Sequence, residues 1–347
     1  MKPSRIILAG LCAALPNLAC APVPGEGRFV RIASEEAIII WDEGAQRQHF
    51  IRRASFDTDA KDFGFLVPTP NRPELAEAGN DAFAFLAAIT LPFDRAARGK
   101  SDEAAKPAGP RPAAVTVLEQ KVVAGYDAAV LEATDAKALD GWLKQHGYPS
   151  SPQLVAWYEP YIAGKWKITA FKISADAPKV ASSAVRMSFQ TEKPFFPYRE
   201  PASQGTAGKQ DARLLRVYFL ADARFTGTVG ANGAWDGRAV WSNNVEKEDV
   251  AYLLKLARLP SLAGGGGRWL TEFEDRSSPR PGTDEVFFQR AADQTTLGRP
   301  APVPVMMAIA RSNTYQLSAA AVGIAALIIV ALLVYKRRRR GNRRLFG

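Results

Sequence analysis

Residues 28–70 read RFVRIASEEAIIIWDEGAQRQHFIRRASFDTDAKDFGFLVPTP. Short runs rich in Ile, Val and Phe alternate with turn-forming Gly and Asp, the pattern of consecutive strands. Asp42-Glu43-Gly44 predicts a hairpin turn. The strand after it sets Gln48, Phe50 and Arg52 on one face and His49, Ile51 and Arg53 on the other, because successive side chains in a strand point to opposite sides. Phe63, Phe65 and Val67 share one face of a third strand. Pro68 and Pro70 are expected to end it, since proline cannot donate to a ladder.

Outward from this stretch the pattern changes. Residues 73–91 predict a helix: Leu75, Ala78, Ala82, Phe85, Leu86 and Ile89 recur at three and four residues, with Pro73 harmless near the start. Residues 95–113 are rich in Pro and Gly and lack periodicity, so they read as a linker and a possible internal boundary. AVTVLEQKVV and DAAVLEA then read as strands joined at Gly125-Tyr126. Asp135 is the expected N-cap of a helix over 136–146, ended by Gly147 and Pro149, and 151–163 predicts another, closed by Gly164.

KWKITAFKI (165–173), VRMSFQTE (185–192) and RLLRVYFLAD (213–222) read as strands, the last deeply buried. Residues 244–259 predict a helix with Asn243 or Asn244 as its cap, followed by strands WLTEFED and EVFFQRA. Gly264 to Gly267 reads as a flexible joint. Strand runs with scattered helices, rather than a regular βαβ alternation, place the body in the α+β class with mostly antiparallel sheets. One C-terminal transmembrane helix is expected in addition.

That expectation rests on residues 317–335, LSAAAVGIAALIIVALLVY, 19 residues without a charge. As a helix they would span roughly 28 Å, close to the hydrocarbon thickness of a bilayer. The tail 336–347, KRRRRGNRRLFG, has seven Arg or Lys and no acid, so the C-terminus is expected on the cytoplasmic side. Residues 1–21, with Lys2, Arg5 and an apolar run, have the build of a secretory leader. The expected order is therefore signal peptide 1–21, exported body 22–292, proline-containing stalk 293–316, membrane helix 317–335 and basic tail. Leu18-Ala19-Cys20 also resembles the end of a lipobox, which would make Cys20 a lipidation site, although Asn17 departs from that pattern. A stalk, an apolar span and terminal arginines also resemble a sorting signal that is cleaved on export, the alternative to a retained anchor.

The formal charge is +10, but nine of the 45 basic residues lie in the leader and tail, leaving 36 against 35 acidic residues in the rest. Basicity thus belongs to the targeting segments and gives no support to nucleic-acid binding. The lipid bilayer is the expected partner of residues 317–344. Only Cys12 and Cys20 occur, both near the leader, so the body has no internal disulfide. His49 and His146 stand alone, which argues against a zinc site.

No phosphate-binding or dinucleotide fingerprint occurs. Asp62-Phe63-Gly64 spells the kinase metal tripeptide without any companion kinase motif. GTAGK (205–209) lacks the spacing of a phosphate loop. WSNN (241–244) combines an aromatic residue with amides, as sugar-binding surfaces do, although a strand end turning into a helix cap explains it too. A serine nucleophile would need His49 or His146 as its base. Glu35-Glu36 and Glu272, Glu274 and Asp275 read as acids on solvated strand faces.

Three blocks carry a resemblance: AIIIWDEGAQRQHFIRRASFDTDAKDFGFLVPTPNRPEL, VVAGYDAAVLEATDAKALDGWLKQHGYP with the downstream YEPYIAGKWKITAFKI, and AVRMSFQTEKPFFPYRE. In order and spacing they resemble the bacterial domain of unknown function 2330 family, whose Asp-Phe-x-x-hydrophobic-x-Pro-x-Pro motif is matched by Asp62, Phe63, Val67, Pro68 and Pro70. Family members often carry cysteine beyond the leader cut, whereas here only Cys20 remains. The resemblance implies an exported, often membrane-anchored bacterial protein and brings no catalytic residues with it. The expected function is a non-enzymatic binding or interaction domain on the outer side of the cytoplasmic membrane, taking an envelope protein, polymer or small ligand. An envelope hydrolase or transferase using carboxylates assembled by the fold is the alternative. Candidate binding residues are Asp62, Pro68, Pro70 and Trp241. No catalytic residue is assigned, and no cofactor or metal is expected.

Overall fold

The computed structural model describes residues 22–24, 30–58, 62–91, 115–148, 150–174, 179–181, 184–201, 214–260, 262, 268–277, 280 and 282–299. The opening stretch forms β2 (Val30–Asp42), β3 (Arg47–Thr58) and β4 (Asp62–Thr69), preceded by the short β1 (Pro22–Pro24). β2 and β3 pair antiparallel around the expected hairpin, where Asp42 accepts the Ala45 N–H at 3.1 Å and Gln46 turns through φ 45°. The side chain of a turn aspartate commonly replaces a backbone acceptor in this way.

Two large sheets result. The first runs β1-β4-β8-β7-β6, with β6 (Val115–Val123), β7 (Tyr126–Ala133) and β8 (Lys167–Ser174). The second is ordered β14-β15-β12-β2-β3-β10-β5, with β9 (Lys179–Ala181) paired on β3. Its strands include β5 (Glu74–Glu77), β10 (Val185–Gln190), β12 (Leu214–Ala221), β14 (Arg238–Val245) and β15 (Arg268–Asp275). A small third sheet is ordered β11-β16-β13, from β11 (Phe195–Phe196), β13 (Phe225–Val229) and β16 (Val286–Arg290).

Periodicity explains the layers. Ala37, Ile39 and Trp41 of β2 join Phe65 and Val67 of β4 and Phe171 of β8 in a core between the two large sheets, which the third sheet closes with Phe196, Val286 and Phe288. The opposite face of β2 sends Ile38 and Ile40 to α1 (Asp81–Thr90) and α4 (Lys247–Leu256). The opposite face of the first sheet, including Leu66, Ala129, Leu131 and Ile168, is covered by α2 (Ala136–Gln145) and α3 (Pro152–Ala163). β2 is thus buried on both sides, which is why its middle reads as an unbroken apolar run. Among the described residues β2 and β12 form the parallel pair in an otherwise antiparallel arrangement, and both have continuous apolar centres, as parallel strands covered on both faces do. The architecture is the expected α+β.

The Asp135 cap was legible: it accepts the Ala138 N–H at 2.8 Å. Ser151, expected as the first residue of its helix, instead caps α3 and accepts the Leu154 N–H at 3.2 Å. Other boundaries differ from expectation. Residues 73–91 are not one helix: Leu75 sits in β5, opposite Met187, and α1 begins only at Asp81. Burial of Leu75 between the sheets outweighs its fit to a helical stripe. Pro68 does not end β4 but lies inside it, opposite Ile168. β1 covers β4 only over Phe63 to Phe65, so at Pro68 that edge of β4 carries no described strand and loses no ladder bond. Tyr126 belongs to β7, and the hairpin turn is Ala124-Gly125, with φ 51° and 81°. Asn243 and Asn244 are not helix caps, because β14 pairs with β15 through Val245 and α4 starts after Glu246.

The segment expected to leave the body at 293 stays on it through Arg299: Leu297 bridges to Ser242, and Arg224 binds Asp293 at 2.9 Å. No helix among the described residues is long and apolar enough to cross a membrane. The expected leader, Cys20, the 95–113 linker, GTAGK, the glycine joint and residues 317–347 lie outside the described residues.

Candidate functional site

The acids expected on solvated strand faces are largely interior. Glu35, Glu272 and Asp275 are 1 %, 0 % and 0 % exposed. The correction has a physical basis: each is met by arginines, hydroxyls or N–H groups from neighbouring strands and loops, without which burial would be prohibitive. Arg52 Nε binds Glu35 at 2.8 Å while its guanidinium lies over Phe65. Arg216 is the hub of a larger network, reaching Glu272 at 2.8 Å, Glu274 at 3.0 Å and Glu36 at 3.2 Å. Arg53 adds to Glu36, Arg276 to Glu274, and Arg299 to Glu272. Burial works against the charged form of Glu274, but hydrogen bonds from Arg216 and Arg276 prevail and hold its carboxyl below the usual range.

Asp275 is similarly committed. It accepts Tyr198 Oη at 2.8 Å, Trp235 Nε1 at 3.2 Å and the Ser277 N–H at 2.8 Å, with Arg280 at 3.6 Å. Burial opposes its ionisation, yet Arg280 and Ser277 lower its pKa on balance. Glu285, at 3 % exposure, accepts the N–H groups of Tyr198 at 2.6 Å and Arg199 at 3.3 Å and the Tyr161 hydroxyl. Burial nevertheless pushes this carboxyl up to about 7. These carboxylates cross-link strands, and each interior carboxyl is already engaged.

The fold does bring one serine to a histidine: His49 Nδ1 lies 2.8 Å from Ser188 Oγ across the β3–β10 pair. Burial, with Arg47 and Arg186 nearby, depresses the imidazole to about 4, so it is neutral at pH 7. Both residues are buried, at 7 % and 2 %, which leaves no room for a substrate carbonyl beside the hydroxyl. His146 caps α2, bonding the Trp142 carbonyl at 2.8 Å and stacking on its ring at 3.8 Å. Neither histidine has the setting of a hydrolase base.

A half-open cleft of about 410 Å³ lies where the β2–β3 hairpin meets the third sheet. Its wall is aromatic, from Trp41, Phe225 and the half-buried Phe287. Exposed Glu192, Lys193 and Asp284 stand around it. The strand alternation builds this wall: Gly227 and Val229 of β13 turn inward with Val286 and Phe288, leaving Thr228 and Phe287 on the outer side. Gly227 is required inside, since a Cβ there would come within 2.5 Å of the Trp235 ring.

The residues singled out from sequence do not converge on this cleft. Asp62 opens β4 opposite Ser174, with its side chain outside the described residues. Pro68 is buried and Pro70 half-buried beyond it. Trp241 sits beside a β-bulge of β14 and packs against the core under α1 and α4. The cleft residues come from positions 41, 192, 225, 284 and 287, and no local motif links them. Among the described residues, no cluster of three or more His, Cys, Asp or Glu could hold a metal ion.

Fold and cleft together define an α+β domain of helix-covered sheets with an aromatic surface cleft. The chain belongs to the family described as an uncharacterised protein conserved in bacteria (DUF2330), which matches residues 15–288. No curated protein matches the sequence. Among solved structures the chain is similar to baculovirus P35, at 8 % identity and a TM-score of 0.33, covering 78 % of this chain and 98 % of that one. A mutated baculovirus P35 after caspase cleavage gives 8 % identity and a TM-score of 0.29, over 77 % and 100 %. Scores this low carry no argument about function.

Proposed function

We propose that this chain is an exported bacterial binding domain held on the outer side of the cytoplasmic membrane by residues 317–335. The observation that carries the binding part is the distribution of its ionisable groups. The interior acids are tied to arginines, hydroxyls or backbone N–H groups, the Ser188–His49 pair is shut in the core, and the aromatic cleft holds no histidine or cysteine. Such a surface, an apolar wall with exposed acids around it, has the build of a binding cleft. The membrane part is supported by the apolar run, the arginine block behind it and the leader-like start.

Cell fractionation tests the placement. The full chain is expected in the membrane fraction after a high-salt wash, with its body cut by protease added to spheroplasts. A chain ending at residue 316 is expected in the soluble exported fraction. A full chain that washes off, or a body shielded from protease, would sink the reading. Mass spectrometry of the mature protein separates the two fates of the C-terminus: a recovered 336–347 peptide means a retained anchor, and its loss means a cleaved sorting signal.

A further inference from the structure

We infer that the cleft beside the third sheet binds an extended peptide segment that pairs an apolar side chain with a neighbouring lysine or arginine; this rests on the binding-domain reading above and specifies its ligand. Three independent features of the cleft agree on that chemistry.

The first is a spare donor. Trp41 lines the cleft, and its indole N–H makes no hydrogen bond to the protein among the described residues, nor is it one of the buried unpartnered atoms, so it stays open to solvent. An open indole N–H can donate to a ligand, and a peptide carbonyl is a neutral acceptor of the right reach. The second is the apolar wall. Phe225 lies buried behind the cleft, and Phe287 offers a half-buried ring, a seat for one apolar side chain. The third is charge. Glu43 is matched by Arg290 at 2.7 Å, but Glu192 and Asp284 form no ion pair among the described residues, against the single cation Lys193.

Asp284 is also held in place. Its Oδ1 accepts the Glu285 N–H at 2.8 Å, and Gly230, at φ 57°, leaves the space its Oδ2 fills, for a Cβ there would come within 2.7 Å. A carboxylate fixed in this way attracts a cation without further ordering of its own side chain. The unmatched acids exceed the unmatched base, so a cationic side chain is favoured over an anionic one.

Isothermal titration of the full chain in detergent micelles tests this with two probes, Ac-Ala-Phe-Lys-Ala-NH2 and Ac-Ala-Phe-Glu-Ala-NH2. The lysine peptide is expected to bind and the glutamate peptide not to. The double variant Glu192→Gln/Asp284→Asn, at two exposed positions, is expected to weaken the lysine peptide about tenfold, as two surface charge contacts warrant. Trp41→Phe keeps the wall, removes the donor and is expected to weaken it severalfold. Equal binding of both peptides, no effect of the double variant, or no binding of either would overturn the proposal. Phenethylamine binding as tightly as the lysine peptide would overturn its peptide part. Tighter binding of the glutamate peptide would overturn the charge argument yet leave a binding domain standing, whereas cleavage of either peptide would sink the binding-domain reading itself.

Discussion

Glu285 Oε2 accepts the backbone N–H of Tyr198 at 2.6 Å, joining the start of β16 to the chain just after β11. The same carboxyl takes the Tyr161 hydroxyl from α3, so three parts of the fold meet on one buried acid. Burial raises its pKa from 4.5 to about 7, outweighing the hydrogen bonds that favour ionisation. The native chain therefore keeps a proton between about pH 4.5 and 7 that the unfolded chain has released. Stability falls as pH rises through that window, by on the order of 3 kcal/mol from this group alone. Glu285→Gln can keep the acceptor for both N–H groups and donate to Tyr161 without ionising. It is expected to gain stability over the parent as pH rises from 5 to 8, measured by urea denaturation; a constant difference would refute the assignment.

His49 works with the opposite sign. Its pKa is lowered from 6.5 to about 4, first by burial and then by Arg47 and Arg186. The unfolded chain takes up a proton as pH falls below 6.5, and the native chain resists until about 4. The stability from a neutral His49 is thus complete above pH 6.5 and lost on acidification through that window. His49→Gln removes the titration while leaving a polar group for Ser188. Its stability difference from the parent is expected to shrink between pH 7 and pH 4.5, read by the same denaturant midpoints.

Local chemistry was readable in the sequence; long-range chemistry was not. The β2–β3 hairpin and the Asp135 cap depend on residues within a few positions, and their signals are local. β5 was missed because Leu75 is fixed by Met187 of β10, more than a hundred residues away, while its spacing also suits a helix. Glu36 and Glu272 read as solvated because a strand acid does not announce its partner: Arg216 lies 180 residues beyond Glu36. The cleft was invisible for the same reason, being assembled from the β2–β3 hairpin, a loop and two paired strands of the third sheet. A lone Trp41 after three isoleucines reads only as core.

Arg216 is the cation on which three acids of the second sheet depend. Removing it leaves Glu272, at 0 % exposure, with Arg299 alone. Arg216→Leu is expected to destabilise the fold by roughly 3 to 5 kcal/mol, the usual result of orphaning a buried charge. The double variant Arg216→Leu/Glu272→Leu is expected to recover much of that loss, because both desolvated groups are gone. Thermal denaturation of the single and double variants measures the coupling; additive losses would show that the pair does not act as a unit.

Gly64, in the Asp62-Phe63-Gly64 run, is fixed by contact rather than by backbone angle. A Cβ on it would come within 2.6 Å of the Phe171 carbonyl oxygen on β8 and 2.6 Å of the Tyr148 ring. The ring can tilt, but the carbonyl belongs to the ladder that pairs β4 with β8. Gly64→Ala is therefore expected to cost roughly 1 to 3 kcal/mol, the range for overpacking a close-packed interior. Adding Tyr148→Leu should relieve the ring contact and leave the carbonyl contact, so rescue is expected to be partial. In a thermal melt the double variant would lie above Gly64→Ala, relative to Tyr148→Leu alone, by less than the full loss. Full rescue would mean that only the ring excludes a side chain at this position; no loss at all would mean that the strands can part at no cost. The first outcome would remove the role given to the Phe171 carbonyl, and the second the packing explanation for a glycine in this run.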